Sequence, residues 1–128
     1  MTTTSIIDVR TVGITVTDQD NAVAFYVDTL GFEKRLDAPI SPTMRWIEVA
    51  PKGATTSIAL TTNDAGTLRS NDTDTGIRFT VPDANAEHEL MRHRGVTVSE
   101  VLRWDGVPPM FTFDDPDGNR FYIVEEAR

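Results

Sequence analysis

Two stretches of the chain repeat one pattern of apolar and polar positions. Residues 11–32 and residues 75–96 each begin with a strand whose apolar side chains occupy every second position. Each strand is followed by an aspartate, a helix of about three turns and a glycine. The repeat predicts two copies of one strand–helix unit, and so an internal duplication.

Both helices carry start and stop signals. Asp18 and Asp83 stand where an N-cap side chain accepts hydrogen bonds from the first free N–H groups. Gly31 and Gly95 follow the last helical residues, where a left-handed backbone is favoured. These four residues predict where each helix begins and ends.

Further strands complete each unit. Apolar and alternating runs predict strands at residues 32–36, 44–50, 55–61, 97–103, 109–114 and 119–125. The segment between the halves is rich in Thr, Asn, Asp, Gly and Ser, and predicts a solvated linker. We therefore expect one α+β domain over residues 1–128, with tandem βαβββ modules at about 8–61 and 75–126 and a linker at about 62–74.

The same alternation assigns the two faces of each strand. In the first strand, Val12, Ile14 and Val16 are expected to face the helices, whereas Thr11 and Gly13 face the other way. The second set is small or polar, which suits the lining of a cleft.

Charge and composition exclude several classes of partner and of reactive site. The chain has 12 basic and 20 acidic side chains and a net charge of −8, so neither nucleic acid nor an anionic membrane is an expected partner. Because there is no cysteine, disulfides, thiolate nucleophiles and cysteine zinc sites are ruled out. No apolar run approaches a membrane span and no secretory signal is visible, so we expect a cytoplasmic protein.

Two segments carry a family resemblance. VGITVTDQDNAVAFYVDTLGFE (residues 12–33) and FDDPDGNRFYIVE (residues 113–125) resemble the most recognisable parts of the vicinal oxygen chelate superfamily, the glyoxalase/bleomycin-resistance/extradiol-dioxygenase fold. The resemblance implies a curved mixed sheet around an open cleft that is the ligand site. It also implies a homodimer.

The resemblance also implies where a metal would be held. Enzymes of that superfamily bind a divalent metal through His, Glu or Gln side chains of four strands. At the corresponding positions this chain has Thr11, Ala59, Gly76 and Tyr122. None of these supplies an imidazole or a carboxylate. We therefore expect no metal site and no cofactor.

Other metal-binding side chains are poorly placed to rebuild such a site. His88 and His93 are five residues apart on the second helix, so they point about 140° apart and are expected to be solvated. Glu125 and Glu126 follow the last strand and are expected to be exposed charges.

Arg78 is the most informative candidate for ligand binding. The alternation places it in mid-strand, facing the cleft, where a buried guanidinium must find an anion or several acceptors. One interpretation is an internal salt bridge to Glu48 or Asp114. The other is a bidentate clamp for an anionic group of a ligand.

Five more residues are candidates for the cleft. Trp46 and Glu48 are expected to face it, with Trp46 either stacking on a planar ligand or filling the core or a dimer interface. Tyr122 either donates a hydrogen bond to a ligand or fills the space of the missing ion. Arg120 shares its face, and Trp104 lies in a proline-rich segment that is either a cleft rim or a plain turn.

These observations favour a metal-free protein that binds a small organic molecule, aromatic or anionic. Sequestration of that molecule is a role that fits such binding. The alternative is an enzyme of the same superfamily, a lyase, isomerase or dioxygenase, with non-standard metal ligands or no metal. A third is a subunit that binds a protein partner and whose cleft is closed by side chains. The residues identify no catalytic group, and they leave open whether the chain is an enzyme.

Overall fold

The computed structural model describes residues 3–62 and 73–126. It contains two helical segments and nine strands in that part of the chain. The helices are α1 (Gln19–Val23), which continues with π-helical hydrogen bonding over Ala24–Thr29, and α2 (Ala84–His93). The strands are β1 (Thr11–Thr15), β2 (Glu33–Ser41), β3 (Met44–Ala50), β4 (Ser57–Thr61), β5 (Thr73–Val81), β6 (Thr97–Val98), β7 (Leu102–Trp104), β8 (Val107–Asp114) and β9 (Asn119–Glu125).

The strands form two mixed sheets. The first has the order β1-β4-β3-β2, and the second has the order β5-β9-β8-β6 with β7 paired to β8. In each sheet the strand before the helix pairs in parallel with the last strand of the module, β1 with β4 and β5 with β9. The predicted α+β fold and its two βαβββ modules are confirmed.

Three boundaries differ from the prediction. Strand β2 runs to Ser41, well past the expected end, because its pairing with β3 extends into a long hairpin. The strand expected at 97–103 is split into β6 and β7. Strand β5 begins at Thr73, inside the predicted linker, and the rest of that linker, residues 63–72, lies outside the described residues.

The predicted helix caps are confirmed. The Asp18 Oδ1 accepts a hydrogen bond from the Asn21 amide, and the Asp83 Oδ1 accepts one from the Ala86 amide, both at 3.1 Å. Gly31 and Gly95 have φ values of +83° and +80°. In α2 the cap is reinforced by Glu125, whose Oε1 accepts from the Ala84 amide at 3.0 Å. Glu125 is half-buried, so the expectation that it is an exposed charge is wrong.

One apolar core serves both modules, and the predicted strand faces are confirmed. Ile14, Ile47 and Leu60 from the first sheet, together with Phe111 and Phe121 from the second, belong to one buried cluster. The helices cover these faces, so the opposite, polar faces of both sheets point away from the core.

The Asp-Pro-Asp-Gly-Asn turn before β9 joins the two modules. Tyr26 is fully buried and donates its hydroxyl hydrogen bond to Asp115 at 2.7 Å, while Asp117 accepts from the amide and hydroxyl of Thr17. The Asn119 side chain donates to the carbonyl at the end of β1 at 2.9 Å. This turn therefore links the second module to the first helix and strand.

His88 is not a solvated surface histidine. Its Nε2 lies 2.9 Å from the Ser99 carbonyl oxygen, and its ring packs edge-on against Phe111. Neither described helix is long and apolar enough to cross a membrane.

Candidate functional site

Five of the six predicted ligand-binding residues lie on the polar faces of the two sheets, Trp46 and Glu48 on the first and Arg78, Arg120 and Tyr122 on the second. The sixth, Trp104, lies in a hairpin. The first polar face consists of Thr11, Trp46, Glu48 and Ser57. The second polar face consists of Asp74, Arg78, Asp114, Arg120 and Tyr122. Trp104 lies apart, at the end of β7.

Glu48 is the centre of the first polar face. Its Oε1 accepts hydrogen bonds from the Ser57 hydroxyl at 2.6 Å and from the Thr11 hydroxyl at 3.5 Å. Its Oε2 accepts from the Trp46 indole N–H at 2.7 Å. The side chains that surround it leave Glu48 only 7% exposed. The bond from Ser57, followed by the bond from Trp46, lowers the pKa of the Glu48 carboxyl, so the group is held ionised.

Trp46 has a more specific role than either sequence interpretation gave it. It is half-buried, lies outside the apolar core and donates its single N–H to Glu48. The expectation that it fills the core is therefore wrong. The indole is held in one orientation beside a carboxylate.

Tyr122 is the centre of the second polar face. Its hydroxyl donates to the Asp74 Oδ2 at 2.6 Å, and the Gly76 amide donates to the Asp74 Oδ1 at 2.9 Å. The bond between them raises the pKa of Tyr122 and lowers the pKa of Asp74. The phenol thus stays protonated and the carboxylate stays ionised.

Arg78 lies over Tyr122. Its guanidinium carbon is 4.7 Å from the centre of the Tyr122 ring, a cation–π contact, and its Nη1 donates to the Gly76 carbonyl at 2.8 Å. The expected burial of Arg78 is wrong, since the side chain is exposed. The expected salt bridge is also wrong, because Glu48 is bonded to Ser57 and Trp46.

Asp114, the other expected partner of Arg78, is paired with Arg120. The Arg120 guanidinium reaches both oxygens of Asp114, at 2.9 and 3.3 Å, across neighbouring positions of β8 and β9. Arg120 therefore does share the face of Tyr122, as its strand position predicted. Trp104 is 58% exposed at the tip of the β7–β8 hairpin, away from both groups.

Asp74 is the site residue that sequence analysis missed, because it was assigned to the linker. Opposite β9, Asp74 pairs with Arg120 and Arg78 pairs with Tyr122, so β5 contains extra residues between these pairs. Gly76, with φ of +72°, lies in that bulge. The parity of residues 74, 76 and 78 was the available signal, since all three share the exposed side of β5.

The architecture has known counterparts. A family model described as the Glyoxalase/Bleomycin resistance protein/Dioxygenase superfamily matches residues 9–123. The chain belongs to this superfamily. The protein YetH of Bacillus subtilis (strain 168) is 32% identical to this chain over 120 residues, which are 91% of this chain and 97% of YetH.

Solved superfamily structures are similar over nearly the whole chain. A member from Sphaerobacter thermophilus DSM 20745 is 38% identical, with a TM-score of 0.86 and coverage of 94% of this chain and 98% of that one. TnmS3, an antibiotic binding protein from Streptomyces sp. CB03234, is 31% identical, with a TM-score of 0.85 and coverage of 98% and 100%.

The donor set of this superfamily member does not fit the divalent metal that the resemblance implies. Of the four corresponding positions, Thr11 bonds its hydroxyl to Ser57 at 2.9 Å, Ala59 is buried, Gly76 forms the bulge and Tyr122 is a protonated phenol. No group of three or more His, Asp or Glu side chains suited to a metal occurs within residues 3–62 and 73–126. No reaction step through a metal is derived from these residues.

Proposed function

We propose that this protein binds a small organic molecule on its polar sheet faces without a metal ion. The observation that carries the proposal is the geometry of Arg78, whose exposed guanidinium lies on the half-buried Tyr122 ring while the nearby carboxylates are bonded elsewhere. A guanidinium presented in this way has N–H donors available to a ligand. The similarity to an antibiotic binding protein along the whole chain supports the same function.

The chemistry of the faces suits a ligand with an aromatic or an anionic part. Arg78 offers a bidentate donor pair for a carboxylate, and Tyr122 offers a ring against which a planar ligand packs. On the other sheet, Trp46 offers a second ring beside the Glu48 carboxylate. Binding alone would sequester such a molecule.

We further propose that the protein works as a homodimer. Among the described residues, the hydrogen bonds of Glu48 and Trp46 reach no residue of the second polar face, so one copy does not join the two faces through them. The hairpins also expose large apolar side chains that a second copy would cover. They are Leu36, Ile40, Met44, Leu102, Trp104 and Val107. The cysteine-free sequence is compatible with the cytoplasm, where we expect the protein to act.

A ligand screen tests the proposal. Thermal shift and calorimetric titration against glycopeptide antibiotics and aromatic carboxylates should identify a ligand with a dissociation constant of about micromolar. Arg78→Ala should weaken its binding about tenfold or more, because charged hydrogen bonds are lost. The matched control is Arg92→Ala, which removes an equal charge from the exposed side of α2.

Two results would contradict the proposal. One is that no compound binds more tightly than about millimolar. The other is that Arg78→Ala and Arg92→Ala bind every ligand equally.

A further inference from the structure

A cavity opens beside the first polar face, next to Glu48. Its volume is about 330 Å³, which is the size of a small organic ligand site. It is lined by Arg10, Arg35, Leu36, Glu48, Thr55 and Ser57. None of the six candidates from the sequence except Glu48 is among these residues.

A bulge in β2 explains why Arg35 reaches this cavity. Consecutive residues of a regular strand point to opposite faces, yet Arg35 and Leu36 line the same space. Opposite β3, Lys34 pairs with Val49 and Leu36 pairs with Glu48, so Arg35 is the extra residue of a bulge. The bulge places the Arg35 side chain on the lining of this cavity.

The cavity brings two guanidiniums together in an acidic protein. Arg10, Arg35 and the Glu48 carboxylate all line it, and the chain carries a net charge of −8. The Glu48 carboxylate stays ionised, and its two oxygens already accept hydrogen bonds from the Ser57 hydroxyl and the Trp46 indole N–H.

The two guanidiniums make few hydrogen bonds and ion pairs with the described residues. Arg35 donates to the Pro51 carbonyl at 3.2 Å and is 3.8 Å from the Glu33 carboxylate. The Arg10 guanidinium lowers the pKa of Glu48 but makes no side-chain hydrogen bond in the described chain. Both groups therefore have donors to offer.

We propose that Arg10 and Arg35 bind an anionic oxygen group of an organic acid in this cavity, with the apolar part of the ligand against Leu36. The proposal rests on the proposed function, because it names the chemistry that the first polar face recognises. Glu48 acts here as a positioning residue, since its bond to Ser57 fixes that hydroxyl at the floor of the cavity.

An NMR titration with matched probes tests the proposal. The ¹⁵N-labelled full chain is titrated at low salt with 2-naphthoate, with the neutral 2-naphthamide and with inorganic phosphate. Naphthoate should bind at least about fivefold more tightly than the amide and should shift the amide signals of Glu48, Ser57 and Leu36. Added salt should weaken naphthoate binding. Phosphate should shift the same signals at higher concentration.

Substitutions assign the effect to the two arginines. Arg10→Ala and Arg35→Ala should each weaken naphthoate binding by roughly tenfold, and Arg92→Ala should leave it unchanged. Arg10→Ala is the cleaner variant, because the backbone carbonyl of Arg10, not its side chain, bonds to Ser57. Equal binding of naphthoate and naphthamide, or unchanged binding by Arg10→Ala, would overturn the proposal.

The two proposals fail in different ways. If naphthoate shifts only residues around Tyr122 and responds only to Arg78→Ala, the cavity assignment is wrong and ligand binding on the second polar face stands. If naphthoate binds in the cavity but no compound responds to Arg78→Ala, the cavity assignment stands and the role of Arg78 is wrong.

Discussion

The Glu48 carboxylate organises the hydrogen bonds of the first polar face. It lies between the side chains of Ser57, Thr11 and Trp46 with only 7% of its surface exposed, and it stays ionised because hydroxyl and indole donors replace the lost hydration. The sequence predicted which way Glu48 points. It did not predict the donors, because Ser57 and Thr11 are 46 residues apart in the chain and meet only through β1–β4 pairing.

We predict that Glu48→Gln destabilises the protein in a pH-dependent manner. The folded pKa of Glu48 is lowered, so its contribution is present above about pH 4.5 and is lost as pH falls through the folded pKa. Denaturant unfolding at pH 7 should show a loss of about 1–3 kcal/mol, and the difference should shrink in acid. Glu89→Gln, which alters an exposed ion pair screened by solvent, should cost clearly less. Equal effects of the two variants would contradict this account of Glu48.

Tyr26 should make the protein sensitive to alkali. Burial, and after it the Asp115 carboxylate, raises the pKa of Tyr26 well above its usual value. Its contribution is therefore complete below about pH 10 and is lost as pH rises toward the folded pKa. Tyr26→Phe should cost about 1–3 kcal/mol at pH 7, because Asp115 loses a donor, and the variant should lose less stability than the wild type above pH ~10.

Tyr122→Phe is the matched control for that experiment, since it removes a similar bond to a carboxylate at an exposed site. Its cost at pH 7 should be clearly smaller. If Tyr26→Phe and Tyr122→Phe behave alike, the Asp115 bond does not join the modules energetically.

At the scale of elements, strand alternation predicts the face on which a side chain lies until a bulge interrupts the strand. The faces of β1 follow the sequence pattern, because β1 pairs with β4 without a register shift. The bulge in β2 instead brings Arg35 into the cavity, and the bulge in β5 changes which residues of β9 lie opposite Asp74 and Arg78. A bulge depends on the register of the partner strand, which the sequence of one strand does not contain.

The β5 bulge gives a test of this view. Gly76 has φ of +72°, and a Cβ added there would meet no atom within 4 Å, so the cost of Gly76→Ala is conformational and should be about 1 kcal/mol or more. Gly13→Ala also meets open space but has no positive φ, so it should change stability by less than about 0.5 kcal/mol. Thermal unfolding of the two variants measures the difference. Equal stability of both would show that the bulge relaxes at no cost.

At the scale of the whole molecule, the duplicated pattern and the Asp-Pro-Asp-Gly-Asn turn were enough to predict the fold. The turn connects the two modules, because Asp115 accepts a hydrogen bond from Tyr26 and Asp117 accepts one from Thr17. These two contacts explain why the turn is acidic. The grouping of site residues was harder to predict. Sequence parity treats Trp46 and Arg78 as members of one cleft, yet each sheet of one chain holds its own polar group.

The most direct test of metal-free binding is a calorimetric titration of the tightest ligand from the screen, after dialysis against EDTA and again with excess Zn²⁺ or Mn²⁺. We predict the same dissociation constant, within about twofold, in all three conditions, because Arg78 and Tyr122 supply the contacts. Loss of binding after chelation, restored by one equivalent of metal, would contradict the account.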